Sequence, residues 1–154
     1  MGANILLNPF SIMEREFWVF LKQYKATSLS GVPYTFEMLK KLRLFNMNIP
    51  YMKTLTQAGG KLNNELTREI AEFCEESGKS FYVMYGQTEA TARMSYLPSQ
   101  LALEKTGSMG IAIPGGRFEI IDDNGQIITG HGKAGELVYF GENVCMGYAE
   151  TRND

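Results

Sequence analysis

Tyr85, Thr88 and Glu89 place an aromatic ring, a hydroxyl and a carboxylate within the short stretch Tyr85-Gly86-Gln87-Thr88-Glu89. A tyrosine ring can lie against a purine, a threonine hydroxyl can donate to a phosphate oxygen, and a glutamate can ligate Mg2+, which prefers hard oxygen donors. The group suits a nucleotide and its metal. Two further stretches carry glycines of the same kind, Ser30-Gly31-Val32-Pro33 and Ala58-Gly59-Gly60. Without a side chain, glycine lets a flat or charged ligand approach the backbone and its N–H donors. Taken singly, each loop reads as ordinary turn chemistry. Together, at equivalent strand ends, they point to a crevice, because open parallel sheets bind ligands beyond the carboxyl ends of their strands.

The elements that would hold these loops are legible as alternating β-like runs and helical periodicity from Ala3 to about Met94, the pattern of a layered α/β unit with mostly parallel strands. A first strand is expected over Ala3–Leu7, ending at Asn8-Pro9, and Ser11 with Glu14 forms a capping box for a helix that starts there. Met13, Phe17, Phe20, Leu21 and Tyr24 share one face of that helix. A strand over Ala26–Ser30 precedes the Gly31-Val32-Pro33 break, and a second amphipathic stretch carries Met38, Leu39, Leu42 and Phe45. Lys53–Gln57 reads as a strand. Asn63 or Asn64 caps a third helix with Leu66, Ile70, Phe73 and Cys74 on one face and Gly78 at its end, and Ser80–Met84 is the strand that follows.

After about Thr106 the helices disappear. Arg117–Ile121, the turn Asp123-Asn124-Gly125 and Gln126–Thr129 predict a hairpin with a type I′ turn, and Glu136–Phe140 adds a third strand. The fold expectation is therefore an α/β part over residues 1–98 with flanking helices, then a small antiparallel, barrel-like, β-rich part over residues 106–154.

Composition excludes several function classes. Fifteen Lys and Arg against 17 Asp and Glu leave a net charge of -2 with no basic cluster, which argues against a nucleic-acid partner. No apolar run reaches the roughly 18 to 20 residues that span a bilayer, and no secretory leader pattern opens the chain, so a cytoplasmic protein is expected. Cys74 and Cys145 are far apart and lack Cys or His neighbours at metal-ligand spacing, so structural burial is expected for them. His131, the only histidine, lies in Gly130-His131-Gly132-Lys133 and reads as a surface turn residue rather than a general base. The Asp122-Asp123 pair precedes Asn124-Gly125 and reads as turn chemistry rather than metal binding. Trp18, Met84 and Met94 read as helix and strand core rather than a cofactor box.

Tyr85-Gly86-Gln87-Thr88-Glu89-Ala90 resembles the Tyr-Gly-x-Thr-Glu motif of the adenylate-forming superfamily, which includes acyl-CoA synthetases, luciferases and peptide-synthetase adenylation domains. Gly31-Val32-Pro33, Ala58-Gly59-Gly60, Gly135-Glu136-Leu137 and Gly147-Tyr148 flank it in the family's order. The resemblance covers essentially the whole chain but only the later half of the family's large N-terminal domain. It implies that Tyr85 stacks on adenine, that Thr88 contacts the α-phosphate, and that Glu89 holds Mg2+, making Thr88 and Glu89 the catalytic pair. Gly59, Gly60, Lys61 and Gly86 would border the nucleotide, and Val32, Pro33, Ala58 and Met94 would lie towards the acyl group, with Met94 and Tyr96 the alternative lining of an acyl tunnel. Where the family often has Gly-Gly-Ala-Pro-Leu, this chain has Gly59-Gly60-Lys61-Leu62-Asn63, a departure at the adenine edge.

The implied reaction is attack of a carboxylic acid on the α-phosphate of ATP, giving an acyl-adenylate and pyrophosphate, then acyl transfer to a thiol of CoA or of a carrier protein. Such chemistry needs no protein nucleophile. It aligns two anions while metal and donors offset their repulsion. The family's Ser/Thr/Gly-rich phosphate loop, its Thr-Gly-Asp and its mobile C-terminal domain with a catalytic lysine are not found in these residues, so the chain alone is expected to be inactive, and its uncovered apolar faces to favour self-association. Ala90-Thr91-Ala92-Arg93-Met94-Ser95-Tyr96-Leu97-Pro98 looks more like an acyl-acid ligase than an amino-acid activator. The alternatives are an adenylation domain that loads an amino acid or acyl group onto a carrier protein, and a non-catalytic nucleotide-binding or assembly module.

Overall fold

The central strands are short, and their burial shows why they sit where they do. In the computed structural model, which describes residues 2–149 and 151, strand β2 (Thr54–Gln57) has Leu55, Thr56 and Gln57 all buried. A strand covered on both faces is the mark of the middle of a parallel sheet. On one side β2 pairs with β1 (Ser28–Gly31) and on the other with β3 (Ser80–Tyr85), both parallel. The registers align Gly31 with Gln57 and Gln57 with Val83, so the three carboxyl ends reach one edge together. Beyond β3, two short strands, β4 (Ser95–Leu97) and β5 (Ile111–Ala112), continue the sheet in antiparallel sense. The sheet is thus mixed, with a parallel half that carries the three loops.

Helix α1 spans Arg15–Gln23, α2 Pro33–Lys41 and α3 Asn64–Glu76. Pro33 opens α2, where its missing N–H leaves no helical bond unmade. Asn63 caps α3 by accepting hydrogen bonds from the N–H groups of Glu65 and Leu66, and Gly78 follows its end with a left-handed φ of +65°. The core gathers Phe36 and Leu39 of α2, Leu66, Ile70 and Cys74 of α3, Leu55 and Phe81 of the sheet. The rings of Phe36 and Phe81 meet at 5.7 Å. Each such fully buried side chain contributes about 1.5–3 kcal/mol.

Several sequence expectations shift. Residues 3–7 form no strand, and Ile5 and Leu7 are 85% and 83% exposed. Strand propensity alone does not make a strand, which needs a ladder partner, and the sheet begins at β1 instead. The Ser11–Glu14 pair does exchange capping bonds, the Ser11 N–H donating to Glu14 Oε1 at 3.1 Å and the Met13 N–H to Ser11 Oγ at 3.3 Å. They close one turn ahead of the helix, which starts at Arg15. On α1 the buried face centres on Leu21, with Phe17 half-buried, whereas Met13 and Tyr24 are exposed because the stripe drifts past the edge of the core. Strand β1 starts two residues later than the expected Ala26–Ser30.

The later residues also differ from expectation. Strand β6 (Arg117–Ile121) pairs antiparallel with β7 (Glu136–Phe140), while Gln126–Thr129 forms no full strand and meets β6 through the isolated bridge Ile121–Ile127 and the Ile128 N–H, which donates to the Ile120 carbonyl at 2.7 Å. The turn is not type I′, since Gly125 alone has positive φ there. Asp122 explains this: its Oδ1 accepts from the N–H groups of Asn124 and Gln126, which holds a tight turn ending at a left-handed glycine, and the Asp122 N–H donates to the Gln126 carbonyl at 2.9 Å as the chain runs back beside the end of β6. Among the described residues this part is a two-stranded sheet, not a barrel, and β5, beyond the expected boundary, joins the first sheet.

Candidate functional site

Where β2 and β3 end, the chain must turn without side chains. The Gln57 carboxamide reaches forward and donates to the carbonyls of Ala58, at 3.2 Å, and Gly60, at 2.7 Å, while its Oε1 is buried with no partner within the chain. Gly59 and Gly60 adopt φ values of +75° and +152°, which any larger residue would adopt only under strain. A Cβ on Gly59 would lie 3.1 Å from Val32 Cγ1, and one on Gly60 3.2 Å from Pro33 Cγ, so the glycine turn packs directly on the start of α2.

After β3 the chain folds back on itself. Thr88–Ala90 forms a single 3-10 turn, and Thr91 and Ala92 follow with left-handed φ. A side chain on Gly86 would run into the Ala92 carbonyl, so only glycine permits this reversal. Met94 then returns to the sheet, its N–H donating to the Tyr85 carbonyl at 2.9 Å.

Two adjoining hollows result. One, of about 290 Å3, is lined by Gln57, Gly59, Gly60, Lys61, Tyr85 and Gly86, with Thr67, Met84 and Gly107-Ser108-Met109 closing its far side. The other, a wider groove of about 590 Å3, is lined by Ser30, Gly31, Val32, Ala58, Gln87, Thr88 and Ala92. Gly59 and Gly86 belong to both, so the hollows share a glycine wall. An aromatic ring and open backbone on one side, and a hydroxyl beside apolar groups on the other, can hold a flat base and, next to it, an anion with an apolar tail.

Glu89 follows Thr88 in the chain. Its carboxylate is exposed and accepts a hydrogen bond from the Tyr148 hydroxyl at 2.6 Å, and this bond, with one from its own backbone, holds the carboxyl below the usual range. The same bond pushes the Tyr148 phenol up. A solvent-facing carboxylate whose charged form is favoured, one residue from a hydroxyl, fits Mg2+, which commonly takes one or two protein carboxylates and fills its remaining positions with water and phosphate oxygens. Among the described residues no group of three His, Cys, Asp or Glu side chains is placed to hold a metal by itself.

Of the residues singled out from sequence, Gly59, Gly60, Lys61, Tyr85 and Gly86 meet in the first hollow, and Val32, Ala58 and Thr88 in the second. Pro33 lies against Gly60. Met94 is buried, as its core reading has it, and lines neither hollow; Glu89 lines neither hollow as well. His131 is exposed in a turn. Cys74 is buried as expected, but Cys145 is exposed, because it lies past β7 where nothing packs over it. Sequence reading missed Gln57 and Gly107-Ser108-Met109. A polar residue closing a predicted buried strand, and the glycine pair Gly107 and Gly110, were the available signals.

The sequence matches the family described as AMP-binding enzyme over residues 1–149. The chain belongs to that family. Among its relatives, luciferin 4-monooxygenase of Nipponoluciola cruciata is 27% identical over 96% of the chain and 26% of its own length. The 2-succinylbenzoate–CoA ligase of Listeria innocua is 26% identical over 88% of the chain and 26% of its own length. O-succinylbenzoate coenzyme A synthetase of Bacillus subtilis in complex with AMP superposes with a TM-score of 0.74 at 25% identity, over 90% of this chain and 27% of that one. The same enzyme is also known in complex with ATP and magnesium ion, at 24% identity and a TM-score of 0.74, a likeness of fold. The chain spans about a quarter of the length of these relatives.

Proposed function

We propose that this chain is the later part of the N-terminal domain of an AMP-forming acyl-acid ligase, residues 1–98 its α/β part and residues 106–154 part of a β-rich subdomain that other segments complete as a barrel. The parent, a cytoplasmic enzyme in this reading, activates a carboxylic acid with ATP and passes the acyl group to CoA. The observation that carries the reading is the shared glycine wall: Tyr85, Gly59 and Gly60 line one hollow, and Thr88, Val32 and Ala58 line the next. In this assignment the first hollow takes adenine against Tyr85 and beside Lys61. The second takes the α-phosphate at Thr88 and the acid at Val32, Pro33 and Ala58. Met94 supports the acyl side through packing. Glu89 holds the Mg2+, which supplies charge neutralisation when bound.

The chain's own residues do the positioning. Gly59, Gly60 and Gly86 carry no side chain of their own, so a bound base or anion reaches their backbone closely, and Thr88 offers its hydroxyl proton to a phosphate oxygen. CoA is preferred over a carrier protein as acceptor because the named relatives include CoA ligases. The test is titration of the chain with ATP, with and without Mg2+. Mg2+ is expected to strengthen binding, Glu89→Gln to remove about tenfold of that gain, and Tyr85→Ala to weaken binding with or without metal, each the scale of one lost charge-assisted or stacking contact. The same preparation is expected to show no ATP–pyrophosphate exchange. A chain that ignores ATP at millimolar concentration, or exchanges pyrophosphate unaided, overturns the assignment.

A further inference from the structure

The loop that presents Thr88 and Glu89 cannot hold its own shape. Thr91 and Ala92 are consecutive non-glycine residues with φ of +46° and +69°, and for a β-branched residue such as Thr91 that conformation is an outlier. Conformations of this kind persist only where surrounding groups over-determine them. The surrounding groups come from the segment after β7. Asn143 Nδ2 donates to the carbonyls of Ala90 at 2.6 Å and Arg93 at 3.0 Å, bracketing the two strained residues. The Thr91 hydroxyl donates back to the Asn143 carbonyl at 3.3 Å, and the Cys145 N–H donates to the Glu89 carbonyl at 2.7 Å.

We propose that Asn143 is a positioning residue for the candidate nucleotide site: its carboxamide, carried over from the second sheet, fixes the shape in which the 85–93 loop presents Thr88 and Glu89. The inference rests on the reading of those two residues as nucleotide and metal contacts. Only a carboxamide meets the demand. It brings two N–H donors on one nitrogen for two carbonyls, and an oxygen that accepts from the Tyr139 hydroxyl at 2.9 Å, which sets the direction the amide faces. Aspartate has the shape without the donors. Gly141 keeps the space open, since a Cβ there would lie 2.5 Å from Asn143 Oδ1 and 2.7 Å from the Tyr139 hydroxyl. Gly86 completes the device by leaving room for the returning Ala92 carbonyl.

The experiment compares the wild-type chain with Asn143→Asp and Tyr139→Phe by residue-resolved amide hydrogen exchange and by Mg·ATP titration. The reporters are the Ala90, Thr91 and Ala92 amides, which donate to the carbonyls of Gln87, Thr88 and Gln87. In Asn143→Asp they are expected to exchange about tenfold faster while the amides of β1, β2 and β3 stay unchanged, a local opening rather than a loss of fold. Tyr139→Phe, which removes only the orienting hydroxyl, should give a smaller rise at the same amides. Mg·ATP affinity is expected to fall about fivefold in Asn143→Asp, with the midpoint of thermal unfolding nearly constant, because misplaced contacts cost affinity without unpacking a core. Unchanged exchange at the three amides in both variants overturns the proposal. Faster exchange with undiminished affinity overturns it at the other end, leaving Asn143 a role in the fold alone. If the wild type binds no Mg·ATP, the functional reading fails, and the exchange comparison still decides whether Asn143 holds the loop.

Discussion

Cys74 lies on the inner face of α3, 1% exposed, and burial pushes its thiol up from an ordinary value near 9 to about 12, the nearby Lys79 only partly opposing the rise. Between those two values the unfolded chain releases the proton and the folded chain keeps it. Fewer protons bound in the unfolded state mean that stability falls as pH rises through that window and is intact below it. The thermal midpoint is therefore expected to drop from pH 9 upward, and Cys74→Ala, though less stable at neutral pH because of the void it leaves, should lose about 3 °C less over the same rise. Parallel alkaline curves for the two proteins would refute this. Residue chemistry of the candidate site is legible in the sequence where it depends on group type. Tyr85, Thr88 and Glu89 are identifiable because ring, hydroxyl and carboxylate lie within one short stretch. Gln57 is not, because its role depends on where a neighbouring loop's carbonyls come to lie.

At the scale of elements, β2 shows what sequence patterning reaches and what it misses. Its existence and its parallel place follow from a strand-like run between two helical stretches, and the three glycine loops at one sheet edge follow from that. The expected strand at 3–7 failed because a strand needs a partner in the right register, and pairing is a non-local fact. At 126–129 the return run does meet β6, through the Ile121–Ile127 bridge and the Ile128 N–H on the Ile120 carbonyl, but Asp122 capturing two backbone N–H groups sets a different turn, which a turn dipeptide does not reveal. Gln57, the last residue of β2, gives a prediction at this scale. Its two hydrogen bonds contribute about 0.5–1.5 kcal/mol each, while burying the unpaired Oε1 costs about 1–3 kcal/mol, so the two nearly cancel. Gln57→Leu is expected to stay within about 1 kcal/mol of wild type in urea unfolding yet to bind Mg·ATP less well, because the Gly59-Gly60 turn loses its tether. A loss above about 3 kcal/mol would show that the side chain serves stability first.

For the whole molecule, the decisive quantity is the apolar surface left uncovered. Isolated exposed apolar residues are ordinary on any protein. The segment before α1 is different, because Ile5, Leu6, Leu7 and Phe10 are all exposed in one short stretch, with Met13 and Val19 on or beside the neighbouring helix also open to solvent. Towards the other end of the chain Met146 and Tyr148 are similarly bare. None of this is visible as exposure in the sequence, where Ile5, Leu7 and Met13 read as strand and helix core, since burial depends on what packs over them. Contiguous apolar patches of this kind drive association in water. In light scattering the chain is expected to show a mass that rises with concentration, and Ile5→Ser with Leu7→Ser should lower that rise without moving the thermal midpoint, because neither side chain packs in the core. A constant monomer mass at high concentration would show that the open face is harmless and that uncovered area does not govern how this chain behaves in water.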